Sequence, residues 1–414
     1  MDLLNIITIL IIVSAAFSYL NVRFIKLPGT IGVVTISVVV SVIILIAGKT
    51  SNDITKSISL LAHSIDFSKV LLDIMLGLLL FASALHFDYR KLKEQRLPVF
   101  ILSTIGVLAS AAIFGVLLYL AMQMIGINIP LVYCFLFGAL ISPTDPIAVA
   151  AILKKSKVPP SLLTIISGES LFNDGVGLVL FVILSNFANP FTTNLSATEI
   201  IQLFVQEVLG GIIIGLIIGY IGFWLMRTIK DFQTILLISI AIVLGISVVA
   251  HNFHASIPLA AVSAGLIIGN KNLDSKQNTD HFLGRIWQLI DEVLNTILFV
   301  MIGLQLVTMP FLNDYWLAGI LSIVCILIAR LVSVSLPVIF FLHKVNFSNL
   351  FILTWAGLRG GISIAMALSL PSSPYQEFIL SGCYFIVIFS IVIQGLTLNK
   401  VVEKVANSQV TQSK

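Results

Sequence analysis

The chain has 414 residues, of which 58% are hydrophobic and only 10% charged, where soluble domains carry about 25% charged residues. That excludes a soluble globular domain and describes an all-α polytopic membrane protein. The net charge of +4 is not gathered into a basic cluster interleaved with aromatics, which excludes a nucleic-acid surface, and Cys134, Cys325 and Cys383 lie in apolar runs without paired spacing, which excludes a disulfide framework or a zinc centre.

Apolar runs separated by polar or Pro/Gly punctuation predict about 13 transmembrane helices. They fall at roughly 3–20, 30–48, 70–87, 98–125, 130–153, 160–187, 199–227, 233–251, 256–270, 286–308, 315–342, 348–370 and 377–402. The first run has no Lys or Arg before it and no obvious small-residue cleavage site, so it reads as a retained helix rather than a signal peptide. An odd number of crossings puts the termini on opposite sides. Of the 23 Lys and Arg residues, 18 fall in the connections after odd-numbered spans or in the C-terminal tail. By the positive-inside rule the C-terminus lies in the cytoplasm and the N-terminus outside the plasma membrane.

Between the second and third spans, Ile54, Ile58, Leu61 and Ile65 recur at helical spacing, which predicts a short helix lying on the membrane surface. Asp88, Arg90, Lys91, Lys93, Glu94 and Arg96 form a solvated cytoplasmic charge run. His251 and His254 fall in a short outer connection. Asp291 and Glu292 open the tenth span, where negative charge suits a helix N-terminus.

Three carboxylates interrupt sequence that otherwise reads as hydrocarbon: Asp145, Glu169 and Asp174. Arg330 and Arg359 lie in equally apolar runs. Each intramembrane charge costs about 2.5 to 3.5 kcal/mol, so the five must meet one another or a water-filled pathway. In the fifth span Pro143 and Pro146 lack the N–H groups that would bond the carbonyls of Ala139 and Ser142. Freed carbonyls and half-helix ends are the material of ion sites, the alternative being a plain proline kink. In the sixth span Ser170 and Asp174 share a helix face, whereas Glu169 points elsewhere. A hydroxyl beside a carboxylate is what a hard cation prefers. In the twelfth span three glycines surround Arg359 and predict a second interruption, the alternative being close helix packing. Broken segments at matching places in two halves point to inverted repeats.

SPTDPIAVAAILKK, SGESLFNDGVGLVLF, IARLVSV and GLRGGISIAMAL occur in this order, and together they resemble the signatures of the cation:proton antiporter-1 family, the NhaP-type and eukaryotic sodium/proton exchangers. The resemblance covers nearly the whole chain. It implies an NhaA-like antiporter fold with inverted repeats and two broken, crossing helices. It also implies a single membrane domain over 1–414, with a moving core at about 70–187 and 315–402 and a dimerisation part at about 1–48 and 199–308. Asp174 would bind either sodium or a proton, with Asp145, Thr144 and Ser170 as further ligands. Asn173 would complete the Asn-Asp pair of the electroneutral branch. Glu169 would pair with Arg330, and Arg359 would balance helix ends and carboxylates at the second break.

The implied function is exchange of sodium or lithium for protons by a homodimer in membrane lipid, one for one, with no cofactor and no enzymatic activity. Potassium/proton exchange is the alternative of the same kind. An intramembrane aspartyl protease using Asp145 and Asp174 is the alternative of another kind, although the Gly-x-Gly-Asp stretch of such proteases is absent. The chain departs from the family at Phe81-Ala82-Ser83-Ala84, where many relatives carry Phe-Glu-Gly-Ala. The sequence leaves open whether Asp73 or Asp291 takes part in transport.

Overall fold

The computed structural model describes residues 3–48, 67–145, 149, 158–188, 197–271, 279–307, 315–341, 347–371 and 373–412. The residues expected to form a surface helix at Ile54 to Ile65 lie outside these, as does Pro146.

Every described element is helical. α1 (Leu3–Leu20) runs into a π-helical turn at Asn21–Ile25, and α2 (Gly29–Gly48) follows. α3 (Phe67–Leu85) contains a π segment at Val70–Met75. After a short helix at Tyr89–Glu94 come α4 (Arg96–Met124), α5 (Leu131–Ile141), α6 (Pro160–Ala188) and α7 (Ala197–Arg227). α8 (Phe232–Asn252), α9 (Ile257–Gly269), α10 (Thr279–Leu306) and α11 (Trp316–Phe341) continue the bundle. α12 (Phe347–Trp355) and α13 (Gly361–Leu368) are two pieces of one interrupted segment. α14 passes from Gln376–Ile388 through a π segment at Phe389–Gln394 into Gly395–Gln412. Among the described residues ten helices are long and apolar enough to cross a membrane by length and composition. α5 and α9 are shorter apolar helices.

The helix starts follow local chemistry. Asp231 accepts from the Thr234 N–H at 2.9 Å and opens α8, and Ser256 accepts from the Leu259 N–H at 3.4 Å and opens α9 with Pro258 in its first turn. Lipid gives helices no hydrophobic reason to associate, so close packing needs small residues. Gly211, Gly215 and Gly219 form such a stripe on α7, which lies along α9. A Cβ on Gly219 would stand 2.7 Å from Ala264 Cα.

The buried apolar residues divide into two clusters. One gathers α4, α5 and α11 to α14 with α2; the other gathers α7, α8 and α9. Three helices belong to both, α6 giving Leu162, Ile166 and Phe181 to the first and Leu171 to the second. α3 turns Leu71, Met75 and Leu79 to the first cluster and Leu76, Leu80 and Phe81 to the second. α10 gives Leu283 and Trp287 to the second and Leu298 to Ile302 to the first. The seam between the two clusters therefore runs along α3, α6 and α10.

Candidate ion-binding site

Two interruptions meet in the middle of the bundle. α5 stops at Ile141, and Pro143 to Asp145 are non-helical. The helical pieces α12 and α13 are likewise separated by Gly357 to Gly360. The two breaks are joined directly, since the Asp145 N–H donates to the Leu358 carbonyl at 2.8 Å. Glycine at 360 is required by proximity, because a Cβ there would stand 2.6 Å from Asp145 Oδ2.

Arg359 extends from one break into the other. Its Nη1 donates to the carbonyls of Ser142 and, at 2.8 Å, Pro143. The Ser142 carbonyl is the one that Pro146 leaves without a helical donor. A buried cation at the C-terminal end of α5 also opposes the negative pole of that helix. The Arg359 backbone N–H is taken by Ser390 Oγ at 2.8 Å, from the π segment of α14.

α6 supplies the wall opposite. Glu169, Ser170, Asn173 and Asp174 are all buried on it. Ser170 Oγ and Thr144 Oγ1 are 2.7 Å apart and hydrogen-bonded. Asn173 Nδ2 donates to Thr144 Oγ1 at 2.8 Å, while its Oδ1 accepts from the Thr144 N–H at 3.3 Å. Asn173 thus commits both ends of its amide to holding the first break in place. Glu169 faces away from this group and accepts from both terminal nitrogens of Arg330, the Nη2 contact being 3.0 Å. Arg330 Nη2 also reaches the Leu353 carbonyl at 3.3 Å, so α11 ties α6 to α12.

Asp174 differs from Glu169, Ser170 and Asn173, although Arg330 Nε is likewise buried without a partner among the described residues. The Asp174 Oδ2 is fully buried and accepts no hydrogen bond among the described residues. A buried carboxylate oxygen left this way is costly and calls for an explanation, such as a proton on the carboxyl or a bound ion. Asp174 lines a cavity of about 30 Å³ together with Asp145, Thr144, Asn295 and Ser363. Such a space holds one water-sized particle. Leu76, Leu79 and Leu80 of α3 close one side.

The structure therefore brings Asp145, Thr144, Ser170, Asn173 and Asp174 together, places Arg359 behind the first break, and puts Glu169 with Arg330 to one side. Asp73 lies in the π segment of α3 and does not line the cavity. Asn295, Ser363 and Ser390 were not singled out in the sequence. The signal for Asn295 was available, an amide four residues after Asp291 on the same helix face and inside an apolar run.

The fold and the site define a class: a helical, multi-pass membrane protein with an oxygen-lined, charged cavity where two helix breaks meet, the architecture of membrane ion carriers. The family model described as "Sodium/hydrogen exchanger, transmembrane" matches residues 11–404. The chain is 40% identical to the Na(+)/H(+) antiporter NhaP of Pseudomonas aeruginosa over 98% of both chains. It is 29% identical to the Na(+)/H(+) antiporter NhaH of Halobacillus dabanensis, covering 82% of this chain and 83% of that one. Its fold matches the sodium proton antiporter MjNhaP1 of Methanocaldococcus jannaschii with a TM-score of 0.80 at 17% identity, over 98% of this chain and 99% of that one. This chain belongs to the sodium/hydrogen exchanger family.

Proposed function

We propose that the chain is a secondary antiporter of the plasma membrane that exports sodium in exchange for protons, with Asp174 as the carboxylate both ions share. The observation that carries this is the buried oxygen of Asp174, unpartnered among the described residues, on a residue that lines a cavity with Asp145. A proton and a sodium ion exclude each other at one carboxylate. Exchange follows if only the loaded site moves between the two faces of the membrane. Asp145, Thr144 and Ser170 supply the other oxygens, Asn173 holds the break that presents them, and Arg359 offsets the negative helix end and the neighbouring carboxylates.

The resemblance to the family supports a division into a moving core and a dimerisation part and a homodimer embedded in lipid; the second apolar cluster sets α7 to α9 apart, while the first joins α1 and α2 to the core helices. The residue boundaries from the family resemblance start the core near residue 70. The packing of α3 on α9 favours grouping α3 with α7 to α10 and starting the core at α4. The N-terminus lies outside and the C-terminus in the cytoplasm. Lithium shares the site, and potassium is the competitor to be tested.

Glycine at 360 gives a first test. A misplacement of about 1 Å costs on the order of 100-fold at a reacting centre. Gly360→Ala, which pushes a methyl group at the Asp145 carboxylate, is expected to reduce sodium-dependent proton movement in proteoliposomes about tenfold or more, with the folded yield unchanged. Wild-type rates in Gly360→Ala would count against Asp145 as a ligand.

Stoichiometry gives a second test. Asn173 cannot titrate, Glu169 is paired with Arg330, and one carboxylate exchanging one proton for one sodium moves no net charge. In proteoliposomes with a fixed sodium gradient, imposing a valinomycin potential of either sign is expected to leave the rate and extent of exchange unchanged. A dependence on potential would mean that a second carboxylate, Asp145 first, cycles its own proton.

A further inference from the structure

We infer that Asn295 supplies a further oxygen ligand to the transported cation, and that Asp291 is the positioning residue that turns that oxygen toward the site. The inference rests on the antiport function proposed above and adds a ligand from a helix outside the two breaks. Asn295 lies on α10, is 1% exposed, and lines the same cavity as Asp145 and Asp174.

The orientation of its amide is set by chemistry. Asn295 Nδ2 lies 2.9 Å from the Asp291 carbonyl and 3.1 Å from Asp291 Oδ1. Both partners are acceptors, so the nitrogen end must face them, and a flipped amide would set oxygen against oxygen. The two amide hydrogens are thereby committed to Asp291. The end that remains for the cavity is the carbonyl oxygen, a neutral hard ligand of the kind sodium takes alongside carboxylates. A neutral ligand also fits one-for-one exchange, since it adds no charge and no titrating group.

Its location gives the ligand a second property. α10 is grouped with α7 to α9 in the division proposed above, whereas Thr144 and Asp145 come from the break after α5, and Ser170 and Asp174 from α6, both assigned to the core. If the parts move relative to one another during transport, Asn295 meets the cation in one facing state and leaves it in the other. The coordination shell would then be complete on one side of the membrane and looser on the other. Affinity for the ion, more than the rate at saturation, should register the loss of Asn295.

The test uses the full chain in proteoliposomes and in detergent. Asn295→Ala is expected to raise the KM for sodium about tenfold, the order expected for one contact to a charged group, with kcat within about threefold. It should shift the sodium concentration giving half-maximal thermal stabilisation by a similar factor. The ratio of the KM values for lithium and sodium should change, since removing an oxygen alters the cage for ions of different size. Asp291→Leu, which removes Oδ1 and leaves the main-chain carbonyl, should produce part of the KM effect, and Asp291→Asn, which keeps a side-chain acceptor for the amide, should bring it back toward wild type. If Asn295→Ala fails to fold, Asn295→Ser carries the same expectations. KM, thermal midpoint and ion ratio all unchanged in a folded variant would overturn the proposal, as would a fall in kcat or stability alone. Absence of exchange by the wild-type protein would instead strike at the antiport function, and the sodium midpoint in detergent would still decide the ligand.

Discussion

Asp174→Asn is expected to abolish sodium-dependent proton exchange while leaving a folded protein of equal or greater thermal stability. The substitution preserves shape and removes charge, so two effects separate. A sodium ion stripped of water in the cavity then lacks its anionic partner. The uncompensated cost of burying an ion is several kcal/mol, and each ~1.4 kcal/mol is a factor of ten. The loss should be on the order of 100-fold or more, and no proton can bind in place of sodium. The stability effect has the opposite sign, because the wild-type Oδ2 is buried and unpartnered among the described residues. Replacing an isolated buried carboxylate by a neutral amide removes a desolvation penalty. Sodium should also no longer raise the melting temperature of the variant. Residual exchange near the wild-type rate, or an unfolded variant, would remove Asp174 from the centre of the mechanism.

Long apolar runs announce their own helices, because lipid demands that each spanning segment satisfy its backbone internally. Most elements accordingly fall close to where hydrophobicity and punctuation place them, but α10 begins at Thr279, so Asp291 and Glu292 stand in its interior and not at a helix N-terminus, and α14 runs on to Gln412. The two breaks were legible for the same kind of reason. Pro143 removes an N–H, and Gly357, Gly360 and Gly361 weaken a helix that Arg359 already burdens. Ser170 and Asp174 could be placed on one face from their spacing alone. The pairing of Glu169 with Arg330 could not, since 161 residues separate them; it came from resemblance to a family. Tertiary placement decided the rest. The π segment at Phe389–Gln394 carries no proline or glycine to announce it, yet it sets Ser390 against the Arg359 backbone. Asn295 reads as one of several polar residues on its helix, with Asp291, Glu292 and Thr296 close by, until folding brings α10 beside the first break. The double allegiance of α3 is equally hidden, because a helix that is apolar all round does not say which face meets which neighbour.

Breaking the Glu169–Arg330 pair is expected to cost about 3 to 5 kcal/mol of stability, which would appear as a sharp fall in folded yield and melting temperature for Glu169→Ala or Arg330→Ala alone. Both side chains are buried, with 1% of Glu169 and 6% of Arg330 exposed, so water cannot replace the missing partner. Each single substitution strands a charge. Arg330→Ala also frees the Leu353 carbonyl at the edge of the second break, so its effect should exceed that of Glu169→Ala and extend to ion transport. Removing both charges in Glu169→Gln with Arg330→Met should recover much of the loss, because a buried pair replaced by neutral groups of similar volume is often close to neutral. A double-mutant cycle on thermal unfolding should then show a coupling at the upper end of the ~0.5 to 3 kcal/mol range for contacting residues. Additive single effects would mean that the two charges are independently solvated and that the tie from α6 through α11 to α12 does not hold. If the double variant folds and still exchanges sodium for protons without net charge movement, the pair serves architecture alone, and neither member carries the transported proton.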